Sequence, residues 1–167
     1  MNIYMMIGYS GCGKTTYAKQ LAEKKNAKVF CADDIFRRNH KEGMTSRKNK
    51  ERTEAEEWAK ISYAIAQNIN LVLDGNFLSF ATRSRIFLAI ELLREKVIKR
   101  IGKNVNVNVI AVHINNEWEE CTINRIGRDG AEWKSDKNKF DHKDVPLLSE
   151  GFSAIKTIHN DYINKAV

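Results

Sequence analysis

The sequence predicts a three-layer α/β/α fold, a mostly parallel five-stranded sheet between helices with a small lid, and three observations carry that expectation. Short apolar runs of strand length alternate with longer stretches at helical spacing along the 167 residues, the order that builds parallel βαβ units. Two of those runs end in carboxylates, Asp33-Asp34 and Asp74, and another ends in a glycine-rich turn, so the chemically useful residues gather where strands stop. Pro146 is the only proline, against about eight at average usage, which permits long uninterrupted helices. The length is that of a single domain, residues 1–167, able to bury a core without disulfides or metal.

The elements follow in order. Ile3-Tyr4-Met5-Met6-Ile7 is a buried strand closed by Gly8, and three of the nine glycines fall within residues 8–13, a turn that opens a helix. Tyr17, Ala18, Leu21 and Ala22 recur at helical spacing from Lys14 to about Lys25. Residues 28–32 form a second strand with Asp33 and Asp34 at its end. Thr53-x-x-Glu56 has the pattern of a capping box for a helix bearing Trp58, Ile61, Ile65 and Ile69. Residues 71–75 are a third strand ending at Asp74, and Ile86, Ile90, Leu93 and Val97 mark a long helix ending near Gly102. A strand over residues 105–114 comes next. Asn116 and Glu119 are placed like a second capping box, ahead of a helix carrying Trp118, Thr122, Arg125 and Arg128. Residues 127–143 are charged, with little period, and read as a mobile flap; residues 152–158 are the fifth strand.

Apolar residues at 43% and charged residues at 29% exclude a disordered chain. The longest apolar runs fall far short of the roughly 20 residues of a membrane span, and no cationic region precedes the first of them, so the expectation is a cytoplasmic protein with no membrane partner. Cys12, Cys31 and Cys121 form no C-x-x-C pair and suit a reducing compartment. The net charge is +7, and residues 37–52 hold seven Lys/Arg against Glu42 and Glu51, an asymmetry that suggests an anionic partner.

Gly8-Tyr9-Ser10-Gly11-Cys12-Gly13-Lys14-Thr15 satisfies G-x-x-x-x-G-K-[ST], between a strand and a helix, the context the motif requires. Gly8, Ser10, Gly11, Cys12, Gly13 and the helix start through Thr16 therefore cradle the phosphates of ATP with backbone N–H groups. Lys14 reaches the β/γ oxygens and the Thr15 hydroxyl ligates Mg²⁺. Cys12, near a helix N-terminus, is open to a lowered thiol pKa, although a small side chain suffices there. Asp74 is placed to hold Mg²⁺, and one of Asp33 and Asp34 to take the proton of an acceptor hydroxyl while the other caps a helix. Arg125 and Arg128, three apart on one helix face, lead into the flap, where their guanidinium groups would neutralise the γ-phosphoryl group. None of His40, His113, His142 and His159 has metal-ligand spacing. Trp133, in the flap, is a candidate for stacking on a base.

These residues resemble the AAA-type small P-loop kinases related to polynucleotide 5′-hydroxyl kinase. The similarity runs over most of the chain: residues 8–16, Cys31-Ala32-Asp33-Asp34-Ile35-Phe36-Arg37, Asp74-Gly75-Asn76, the lid arginines, and Pro146-x-x-x-Glu150-Gly151-Phe152. The family usually shows a threonine where Gly75 stands, and its lid is often longer. The resemblance implies an ATP- and Mg²⁺-dependent kinase with Asp33 or Asp34 as base and Arg37 on the acceptor. The small residue before the acid favours Asp33, whereas the three-residue spacing to Arg37 favours Asp34. The leading expectation is transfer of the ATP γ-phosphate to the 5′-hydroxyl of an RNA or DNA end. A kinase for a nucleoside, sugar or metabolite is the near rival, and a nucleotide-gated interaction module without transfer is the third.

Overall fold

The computed structural model describes residues 1–43, 45–75, 77–129, 137–141 and 143–159. Five strands, β1 (Asn2–Ile7), β2 (Ala27–Cys31), β3 (Asn70–Asp74), β4 (Asn108–Ile114) and β5 (Ala154–Ile158), form one sheet in the order β2-β3-β1-β4-β5. Every pairing is parallel, so the expected α/β class holds with no antiparallel strand in this sheet. The helices are α1 (Lys14–Lys25), α2 (Ala32–Lys41), α3 (Ser46–Gln67), α4 (Phe80–Ile101), α5 (Trp118–Asp129) and the short α6 (Lys137–Asp141), with a 3₁₀ turn over Leu148–Glu150.

The period of two along β1 divides the core. Ile3, Met5 and Ile7 pack with Ile61, Ile65, Ile86 and Ile90 of α3 and α4. Tyr4 and Met6 face the other way, onto Ala18, Leu21 and Ala22 of α1 and Cys121 of α5. A strand covered on both faces can be apolar at every position, and that is why the first run carries no alternation. Left-handed residues stop three of the helices: Asn26 (φ 46°) after α1, Asn68 (φ 54°) after α3 and Gly102 (φ 67°) after α4. Ser79 caps α4, its side chain accepting from the Thr82 N–H at 3.2 Å.

Several expectations are corrected. Thr53 and Glu56 form no capping box, because α3 begins at Ser46 and Thr53 lies inside it, its hydroxyl bonded to Asn49 Oδ1 at 3.3 Å. Residues 46–52 are mostly good helix formers, Arg, Lys and Glu, uninterrupted by glycine or proline, so the helix runs back through them to the break near Gly43 (φ 76°). The basic segment is thus part of a helical hairpin of α2 and α3, and Ile69 falls just outside α3. In the 127–143 segment, residues 127–129 are the last turn of α5 and 137–141 are α6, while Trp133 and His142 lie outside the described residues.

Candidate active site at the C-terminal edge of the sheet

All five strands point the same way, so the residues following β1, β2 and β3 share one edge. Residues 8–13 form the turn between β1 and α1. Gly11 and Gly13 have φ of 87° and 91°, a backbone that side chains resist, and a Cβ on Gly11 would meet the Cys121 carbonyl of α5. A Cβ on Gly8 would stand 2.7 Å from both Cys12 Sγ and the Ile114 carbonyl oxygen. The glycines therefore serve close packing as well as the turn. No side chain caps α1, which starts at the place where an anion would meet its N–H groups.

The Lys14 ammonium donates to the carbonyls of Gly8 (2.7 Å) and Tyr9 (2.8 Å), folded over the loop it serves. The Thr15 hydroxyl donates to Asp74 Oδ2 at 2.7 Å, although the two residues are 59 apart in sequence. Parallel register beside β1 places Asp74 opposite Met6, and the residue is only 4% exposed. A hydroxyl and a carboxylate oxygen meeting beside a phosphate loop fit Mg²⁺, which takes one or two protein oxygens and leaves its other positions to phosphates and water. Among the described residues no group of three or more His, Cys, Asp or Glu forms a metal cluster, in keeping with so sparse a donor set.

Asp33 and Asp34 lie in the first turn of α2, directly beyond Cys31, whose register partner is Asp74. Neither caps the helix: the N-cap position is Cys31, with no side-chain bond, and the acids instead sit where the helix dipole favours negative charge. Asp34 binds Arg37 at 2.7 Å in an exposed pair. Arg125 on α5 donates to Ser10 Oγ at 2.9 Å, so it rests on the phosphate loop, while Arg128, nearly a turn further on, is exposed. Thr16 is exposed on α1. Burial raises the Cys12 thiol pKa despite the nearby Lys14, which overturns the lowered value considered for it. Burial, with Lys143 and Arg83 nearby, pushes His113 down to about 4, leaving a neutral imidazole in β4.

A family model for the AAA domain matches residues 3–139. The chain belongs to the AAA domain family. No curated protein matches this AAA-family chain, but its fold is similar to that of several solved structures. An inferred kinase from Chloroflexus aurantiacus J-10-fl aligns with a TM-score of 0.68 at 14% identity, over 99% of this chain and 88% of that one. A fungal RNA kinase aligns at 0.59 and 18% identity, over 95% and 74%. A sugar kinase from Janibacter sp. HTCC2649 aligns at 0.56 and 14%, over 99% and 91%. At identities this low, the likeness shows a shared fold alone.

The AAA-family chain also contains supports that its sequence conceals. Asn116, which the sequence suggests as a cap, lies outside α5 and donates instead to the Cys12 carbonyl at 2.9 Å, while Asn124 donates to that of Gly11 at 3.1 Å. Together with Arg125 they brace the phosphate loop from α5 and its approach. Arg83 on α4, 0% exposed, makes a two-pronged ion pair with Glu150, 4% exposed, at 2.7 and 2.8 Å. Its remaining terminal nitrogen donates to the carbonyls of Phe77, Leu78 and Asp144. Burial opposes ionisation of Glu150, but the bonds from Arg83 and the Leu147 N–H outweigh it and lower its pKa. The late Glu-Gly-Phe segment is therefore a latch: Glu150 fixes the loop behind Asp74, Gly151 turns at φ 109°, and Phe152 packs edge-on against Phe87, 4.8 Å between centroids. The segment's order in the sequence was the available signal; its partner, 67 residues away, was not.

Proposed function

We propose that this chain is an ATP-dependent kinase transferring the γ-phosphate to the 5′-hydroxyl of a polynucleotide. The observation that carries the reading is the placement of α2. A bare ATPase needs only the phosphate loop and Asp74, whereas here a helix at the same edge adds two carboxylates and an arginine, which an acceptor hydroxyl requires. Lys14 would exchange the loop carbonyls for the β/γ oxygens, and Thr15 and Asp74 would hold Mg²⁺. The ion supplies charge neutralisation at the transferring phosphate when bound. Asp34 is already engaged by Arg37, so Asp33 is the carboxylate left to take the hydroxyl proton, with Arg37 turned toward the acceptor. Arg125, resting on Ser10, would shift onto the γ-phosphoryl oxygens. The cationic α2–α3 hairpin follows the strand's backbone.

A small-molecule acceptor is favoured by a different observation. Much of the hairpin's charge is internally paired, Arg38 with Glu56, Arg47 with Glu51 and Arg52 with Glu42 and Glu56, which leaves less for a polyanion. Salt separates the two. For a single strand, log affinity falls with log[salt] by about 0.7 per phosphate contact, and a slope of two or more contacts is expected. A flat dependence, with labelling of a nucleoside or sugar instead, would move the assignment to the small acceptor.

A further inference from the structure

The exposed face of α2 carries a feature that packing does not account for. Asn39 points inward, 0% exposed, and neither its Nδ2 nor its Oδ1 has a hydrogen-bond partner among the described residues, while Phe36, one turn earlier, is 40% exposed. Burying an unsatisfied amide and leaving a phenyl ring in water both oppose folding. The two positions lie only about 60° apart around a helix of 3.6 residues per turn, so a modest rotation would relieve both. The helix is held against it. Ile35 is anchored in the core, and Asn49 of α3, itself 0% exposed, donates its amide to the Phe36 carbonyl at 2.7 Å. Such departures from local packing rules are expected at functional or strained sites.

What surrounds the ring indicates its use. Residues three and four apart share a helix face, so Asp33, Phe36 and Arg37 stand together, all exposed. Asp34 steadies the Arg37 guanidinium at 2.7 Å. That face begins two residues beyond Cys31, the register partner of Asp74, at the same edge of the sheet as the phosphate loop, with β3 between them. A proton acceptor, a flat apolar ring and a planar cation in sequence match a hydroxyl, a base and a phosphate of one terminal nucleotide.

We infer that Phe36 is the stacking platform for the nucleobase of the acceptor's terminal residue, which makes the acceptor base-bearing; this rests on the kinase reading above. The test measures KM and kcat at saturating ATP for a 5′-hydroxyl oligonucleotide and for the same strand with an abasic first residue. Phe36→Ala should raise the KM of the intact strand about tenfold, within the range of one lost base stack, with kcat and the KM for ATP little changed. The abasic strand should show that raised KM already with the wild-type protein and be indifferent to the substitution. Phe36→Trp should keep the low KM, and its added fluorescence should be quenched by the intact strand and not by the abasic one. This second variant decides the matter if Phe36→Ala fails to fold. Equal KM values for both strands in wild type and Phe36→Ala, or no quenching in Phe36→Trp, would overturn the platform while leaving the kinase reading in place. Absence of any transfer to a 5′-hydroxyl strand by the wild type would remove both.

Discussion

Lys14 is the residue on which the site turns. Its ammonium now satisfies two loop carbonyls, and an incoming triphosphate must offer more than those bonds. Because its charge acts on bound nucleotide and on the transition state alike, Lys14→Ala should weaken nucleotide binding and lower kcat together. Isothermal titration with a non-hydrolysable ATP analogue, paired with turnover, checks this, and near-wild-type values in both would remove the phosphate-loop role. The meeting of Thr15 with Asp74 was foreseeable from the sequence, since the loop motif is contiguous and a carboxylate ending an apolar strand, a weak signal alone, gains weight beside that loop. Asn116 was legible as a polar residue before a helix but not in its task. A cap and a brace to a carbonyl 104 residues away look the same in sequence.

At the scale of elements, α5 joins the phosphate loop to the segment beyond it through Asn124 and Arg125. If Arg125 acts on charge that develops during transfer, Arg125→Ala should cut kcat more than it raises the KM for ATP, and lysine should restore little, having no planar fork. Steady-state kinetics on both variants test it; an effect on KM alone would leave Arg125 as a brace for Ser10. The latch between α4 and the 3₁₀ turn makes a stability prediction. Glu150→Ala leaves a buried guanidinium uncompensated and should cost about 3–5 kcal/mol, whereas replacing both Arg83 and Glu150 by apolar residues of similar volume should cost far less. Urea unfolding of the single and double variants measures the difference. The start of α3 escaped the sequence reading for a general reason: a capping pattern states where a helix is able to begin, and uninterrupted helix formers before Thr53 carried it further.

For the molecule as a whole, stability should depend on pH through a group outside the site. Burial raises the Glu57 carboxyl of α3 to about 7, with Arg85 opposing and Glu54 adding to the shift. The folded chain therefore holds a proton that the unfolded chain releases above its ordinary value of 4.5. Stability from this group falls as pH rises from about 4.5 to about 7 and is level above, by on the order of 3 kcal/mol. Glu57→Gln should flatten that slope and raise Tm at pH 8 relative to wild type, measured by thermal unfolding across pH; parallel curves would contradict the burial argument. The architecture was legible because strands covered on both faces announce themselves as apolar runs. Long-range polar supports stayed hidden because neither partner is unusual where it stands. The central claim, transfer from ATP to a 5′-hydroxyl with Asp33 as base, is tested most directly by incubating γ-labelled ATP and a 5′-hydroxyl oligonucleotide with wild type, Asp33→Asn and Asp34→Asn. The account predicts label at the strand's 5′ end with wild type, a loss of about a hundredfold or more in kcat for Asp33→Asn, and a smaller loss for Asp34→Asn. Label released only as inorganic phosphate, or full transfer by Asp33→Asn, would contradict it.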